Sequence, residues 1–144
     1  MAVHYRLFAY GSLQIPEVLL AVTGACFPAR PARLPGYASY RLVGRPYPGL
    51  RRAPGASTEG VLYTHVSAAA LRRLDRFEDD FYRRETLLVS IGFGRTVHAE
   101  VYVIPSRYHA RLSGQPWDLE EFRRTALREL LARLRRSAVP IQNR

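Results

Sequence analysis

The sequence predicts an α+β fold, and three observations point to it. Segments with period-two alternation recur at 4–10, 37–43, 58–66, 85–91 and 96–104, while fewer stretches carry helical spacing. Hydrophobic residues make up 47% of the 144, enough for one core without covalent staples. The single cysteine, Cys26, permits no internal disulfide, and no Cys/His group has zinc-ligand spacing. The expectation is therefore one domain over residues 1–144, with about 137–144 as a loosely ordered tail.

The elements follow in chain order. From His4 to Tyr10 the residues alternate between two faces, and Gly11-Ser12 breaks the strand. Pro16-Glu17 opens a short helix to about Val22, with proline at its first position and Gly24 as its stop. Segment 27–36, rich in Pro and Arg, is expected to be irregular. Tyr37 to Val43 reads as a strand that Pro46 and Pro48 prevent from continuing, since proline supplies no ladder donor. A long loop over 44–57 is expected, which either borders a site, as loops of that length in a compact domain commonly do, or is a mobile surface connection.

Thr58 to Val66 reads as a strand, Ser67 caps a helix ending at Glu78, and 85–91 pairs with 96–104 across Gly92-Phe93-Gly94-Arg95. Asp118 with Glu121 forms a capping box that Trp117 staples to the core. Leu119, Phe122, Ala126, Leu130 and Leu134 then define one amphipathic helix to near Arg136. Its arginines at 123, 124, 128, 133, 135 and 136 are expected to form a solvated face.

The formal net charge is +10, and all 22 basic residues are arginine. They are spread along the chain in pairs such as Arg51-Arg52 and Arg83-Arg84 rather than gathered in a stripe among aromatics, so a nucleic-acid face is not expected. No run is long enough to span a bilayer and the N-terminus lacks a secretory pattern, so a reducing cytoplasm is the expected setting. Nothing in the sequence speaks to oligomeric state.

Two segments stand out for chemistry. Leu71, Leu74 and Glu78 follow an i, i+3, i+7 spacing, which sets a carboxyl group on the apolar face of its own helix. Desolvation there and the negative helix end both favour the neutral acid, as a general base requires. The alternative is a structural acid that reaches water or pairs with Arg83 or Arg84. Tyr10-Gly11-Ser12-Leu13 runs from a strand into a glycine turn whose backbone N–H groups can form an anion-binding concavity, or it is an ordinary strand-ending turn.

Ser12 has no nucleophile elbow around it, and His4, His65, His98 and His109 show no telling spacing. Asp75, Glu78, Asp79 and Asp80 form an acidic cluster that either suits an ammonium group or is neutralised by Arg76, Arg83 and Arg84. Tyr82 either offers a phenol to the same cavity or anchors the next strand.

Taken in series, Tyr10-Gly11-Ser12-Leu13, Pro46-Tyr47-Pro48-Gly49-Leu50, Glu59-Gly60-Val61-Leu62-Tyr63, Leu74-Asp75-Arg76-Phe77-Glu78 with Tyr82-Arg83-Arg84, and Glu100-Val101-Tyr102-Val103 resemble the gamma-glutamylcyclotransferase-like family. The likeness is strongest to the branch of avirulence-induced-gene-like proteins and gamma-glutamylamine cyclotransferases. Pro116-Trp117-Asp118-Leu119-Glu120-Glu121-Phe122 extends it into the last helix. Where the family pattern often has Gly after the acid, this chain has Asp79.

The resemblance implies a small, bent, mixed β-barrel with flanking helices. It also implies release of 5-oxoproline from a gamma-glutamyl compound without metal or cofactor. Glu78 would be the general base and acid, and Tyr10, Gly11, Ser12, Leu13, Tyr47 and Tyr82 would bind the substrate. The alternative on the same fold is a non-catalytic small-molecule binding module.

Overall fold

Alternating segments become strands and helically spaced ones become helices in the computed structural model, which describes residues 3–78 and 81–142, with side chains followed to Ser137. In order come β1 (His4–Ala9), α1 (Pro16–Thr23), β2 (Ala29–Leu42), β3 (Pro48–Ser67), α2 (Ala68–Glu78), β4 (Arg83–Gly92), β5 (Arg95–Val103), β6 (Leu112–Pro116), α3 (Leu119–Thr125) and α4 (Leu127–Gln142). Short 3-10 turns lie at Ser12–Gln14 and Ser106–Arg111. The expected tail at about 137–144 falls on the end of α4, whose side chains beyond Ser137 lie outside the described residues.

The sheet runs β3-β1-β5-β4-β2-β6, and a further pairing of β2 with β3 closes the first five strands into a ring. β1 meets β5 in parallel at Leu7↔Glu100, while the other pairings are antiparallel, so the sheet is mixed. Alternation divides the core. Phe8, Leu34, Leu50, Leu62, Val89 and Val101, drawn from all five ring strands, form one buried cluster. Leu7 and Ala9, on the other face of β1, pack with Val18, Leu71, Leu74 and Leu130 of the helices in a second.

Two sequence expectations are corrected here. Segment 27–36 is not irregular, because β2 carries Pro31 and Pro35 within a ladder to β3 at Pro31↔Val61 and Pro35↔Ser57. Residues of equal parity point their N–H groups to the same edge, so both missing donors fall on one side. The stretch 44–57 is not a long loop either: β3 starts at Pro48, and only the turn at 43–47 joins it to β2. Proline is tolerated as the first residue of a strand. Gly36 (φ +83°) and Gly55 (φ +87°) take the left-handed conformations where the register shifts between Pro35 and Tyr37.

The last helix also differs from its expected form, being two segments that meet at Ala126 (φ −129°, ψ −19°). The Leu130 N–H still donates to the Ala126 carbonyl at 3.1 Å, so the junction is a bend rather than a gap. Asp118 caps α3 as expected, accepting from the N–H groups of Glu120 at 2.9 Å and Glu121 at 3.4 Å. The β4–β5 turn takes positive φ at Phe93 (56°) and Gly94 (73°), the pattern of a two-residue hairpin turn. No helix among the described residues is long and apolar enough to cross a membrane, and Cys26 is exposed.

Candidate active site

Sequence dictates the first wall of the site through a strand that must stop. β1 delivers Tyr10 buried, and its hydroxyl donates to the Tyr102 carbonyl at 2.6 Å. Beyond it the chain turns: Gln14 N–H donates to the Gly11 carbonyl and Ile15 N–H to the Ser12 carbonyl, each at 3.0 Å. Leu13 is sunk in the core, and the buried Tyr63 hydroxyl donates to its carbonyl at 2.7 Å. Gly11 sits against the β2–β3 turn, where a Cβ would lie 3.0 Å from Pro48 Cγ. The turn is therefore held by its own backbone, by Tyr63 and by close packing on proline.

The second wall is the end of α2. Ser67 Oγ accepts from Ala70 N–H at 3.1 Å to start the helix, and Leu71 and Leu74 are buried. The same stripe reaches Glu78, which is half-buried and faces a cavity instead of the core. Arg83 and Arg84, the ion-pair partners that the sequence left open, bond other carboxylates. Arg83 Nε donates to Glu85 at 2.9 Å, and Arg84 Nε to Asp75 at 2.9 Å. Arg84 also pairs with Glu100, and Asp75 accepts from the Tyr102 hydroxyl at 2.7 Å. Asp79 and Asp80, the rest of the expected acidic cluster, lie outside the described residues.

Between these walls lies a cavity of about 260 Å³. Tyr10, Gly11, Ser12, Leu13, Tyr47, Glu78 and Tyr82, all seven residues singled out from the sequence, line it together. Tyr82 donates its hydroxyl proton to the Pro48 carbonyl at 2.7 Å, and the Tyr47 hydroxyl accepts from Arg133 Nη2 at 3.1 Å.

Three further lining residues with polar or charged side chains were not singled out from the sequence: Arg45, Tyr102 and Arg133. Arg133 is exposed, as expected of the solvated face of the last helix, and it also reaches the cavity. The segment Glu100-Val101-Tyr102-Val103 held a signal for Tyr102. The histidines stay outside: His4 and His65 meet edge to face at 5.6 Å, and His109 contacts the Ile104 carbonyl.

Electrostatics bind the walls together. Burial pushes the Tyr10 hydroxyl well above its usual pKa, and the neighbouring Tyr82 and Glu78 push it the same way. Tyr102 is raised first by burial, then by its bond to Asp75 and by the charges of Asp75 and Glu78, with Arg84 opposing. Both phenols are therefore neutral near pH 7, and both feel the Glu78 carboxylate. Among the described residues, no group of three or more His, Cys, Asp or Glu side chains could hold a metal ion. The arrangement suits a small polar ligand with an ammonium group against Glu78 and an anionic oxygen against backbone N–H groups.

A family model described as Gamma-glutamyl cyclotransferase, AIG2-like, matches residues 7–119. Protein AIG2 C of Arabidopsis thaliana is 33% identical over 120 residues, covering 83% of this chain and 72% of that protein. AIG2-like protein C from the same plant is 34% identical over 120 residues, covering 83% and 69%. A solution structure from Arabidopsis thaliana superposes with a TM-score of 0.71 at 29% identity, covering 99% of this chain and 87% of that one. A structure titled gamma-glutamyl cyclotransferase gives a TM-score of 0.60 at 19% identity, covering 72% and 68%, a likeness of fold alone.

Proposed function

The chain belongs to the gamma-glutamyl cyclotransferase, AIG2-like family, and from that premise we propose that it is an enzyme that cleaves a gamma-glutamyl compound to 5-oxoproline and a free amine. Glu78 takes a proton from the substrate's α-ammonium group, and the freed amine attacks the γ-carbonyl of the same glutamyl unit. A carbon–nitrogen bond closes the five-membered lactam while the original γ-amide bond breaks. Glu78 passes that proton to the departing nitrogen, then takes the second proton that the ring nitrogen sheds as the lactam forms and hands it to the same amine, which leaves as an ammonium, so atoms and charge balance without a co-reactant. Backbone N–H groups of the Gly11–Leu13 turn hold the substrate's carboxylate or developing oxyanion. The walls come from β1, the β2–β3 turn, α2, β5 and α4, which supports reading the chain as one domain; its proposed setting is the cytoplasm, on the sequence expectation alone.

What carries this reading is that Glu78 and the Tyr10–Leu13 segment line one small cavity. The test is a panel of gamma-glutamyl amino acids, amines and glutathione, scored for 5-oxoproline. We expect product from at least one compound. Glu78→Gln should lower its release by about 10² to 10⁴-fold with the fold intact, the usual worth of a positioned acid–base group. Full activity in that variant would sink the mechanism, and binding without product would make the chain a binding module.

A further inference from the structure

The tip of the β4–β5 hairpin carries an aromatic side chain that neither its turn nor its packing explains. Phe93 has φ +56° and is fully exposed. Two-residue hairpin turns favour Asn, Asp or Gly in that conformation, and a bulky residue there is strained. Burial gives nothing back. Two more large hydrophobic residues are exposed nearby: Leu88 on β4, and Val3, which the parallel register Leu7↔Glu100 sets level with Thr96 of β5. Three of the five exposed large hydrophobic residues among those described thus belong to one hairpin and its neighbour.

Cations surround the same tip. Arg95 follows the turn, Arg30 Nη2 donates to the Ile91 carbonyl at 3.5 Å, and Arg6 Nη1 donates to the His98 carbonyl at 3.2 Å. All three are exposed, and among the described residues none lies within ion-pair distance of a carboxylate. Residues 86–99 contain no Asp or Glu, and neither do residues 1–6 or 24–33. On the neighbouring strands, Glu59 stands opposite Arg33, and Glu100 is held by Arg84 and Thr86. The positive charge at the tip is therefore uncompensated.

We propose that this end of the ring docks on an anionic membrane surface, with Phe93 entering the acyl region and Arg6, Arg30 and Arg95 meeting the headgroups. A protruding apolar tip with cations behind it matches the order of the layers in a bilayer. Stacking on nucleic-acid bases calls for aromatics in series, whereas Phe93 is flanked by Gly92 and Gly94. A second copy in a symmetric pair would set arginine against arginine. The 10 residues of β4 lead from beside Tyr82, in the cavity wall, to the tip, roughly 30 Å of strand, so docking leaves the cavity in water. Docking requires nothing of the cyclotransferase chemistry.

Sedimentation of the full-length protein with vesicles of phosphatidylcholine, with and without about a third phosphatidylserine, tests the surface. Anionic vesicles should bind at least about tenfold more tightly than neutral ones. Phe93→Asn, which suits the turn and so keeps the fold, should weaken that binding at least about tenfold. Arg30→Gln with Arg95→Gln should weaken it about 25-fold, from about fivefold per cation. Arg51→Gln with Arg52→Gln removes the same charge where Arg51 bonds the His109 carbonyl, and should cost no more than about twofold. Phe93→Trp should bind as wild type with a blue-shifted emission, which attraction by net charge alone does not give. Binding indifferent to Phe93, or weakened equally by the two arginine pairs, overturns the surface in favour of net charge. Absence of vesicle binding overturns it outright, as does a Phe93-dependent dimer in light scattering or Phe93-dependent binding of single-stranded RNA in place of vesicles.

Discussion

Asp75 and Glu78 sit three positions apart on one helix, and their surroundings give them different work. Asp75 is spent on structure, accepting from the Tyr102 hydroxyl and from Arg84. Glu78 is turned to the cavity. Asp75→Asn should therefore cost about 1–2 kcal/mol, mostly through the Tyr102 bond, because the Arg84 pair is partly exposed. Urea unfolding checks this through a lowered midpoint at unchanged slope, and an unmoved midpoint would make the bond incidental. At this scale the sequence was legible where periodicity met chemistry: the spacing of Leu71, Leu74 and Glu78 marked an acid on an apolar stripe. Arg133 was not legible, since helical spacing separates polar from apolar faces but does not say which polar residue passes a cavity. Tyr102 was hidden as one alternating residue among several on its strand.

The least readable elements were β2 and β3. Both contain prolines that look like breaks, yet β2 keeps its ladder because Pro31 and Pro35 share an edge, and β3 begins on Pro48. Local composition reports what a residue cannot donate, whereas the sheet decides whether that donor is needed. The short hairpin of β4 and β5 was legible because its turn chemistry is local, with Gly94 at positive φ. Gly60 shows the non-local case. A Cβ there would overlap the Ala9 carbonyl oxygen and lie 2.8 Å from Phe8 Cζ, so the glycine lets β1 close onto β3. Gly60→Ala should destabilise the protein by about 1–3 kcal/mol through overpacking. Thermal melting measures it, and an unchanged midpoint would mean that β1 shifts at no cost.

At the scale of the molecule, helical and alternating patterns sufficed for the α+β class, and the resemblance supplied the way the strands close. Composition alone cannot give a ring, because closure depends on β2 reaching both β4 and β3. Three buried phenols make the closed ring sensitive to alkali. Burial raises Tyr63 from 10.0 to about 12, and Tyr10 and Tyr102 are raised as well. A raised folded-state pKa means the unfolded chain ionises first, so the stabilisation is complete below about pH 10 and is lost as pH rises through 12. Tyr63 alone should contribute up to about 3 kcal/mol of that loss. Melts near pH 9 and near pH 11 should show a clear drop, reduced in Tyr63→Phe, and a flat profile would contradict it.

The exposed Cys26 has a practical consequence. With no lysine in the chain and a single thiol, amine-directed reagents find no side chain and thiol-directed ones find only Cys26. That residue follows the end of α1 and is not among those lining the cavity. Copies tethered through Cys26 to a sensor surface or carrying a fluorophore there would share one attachment point, so an immobilised layer would present its cavities in a uniform sense.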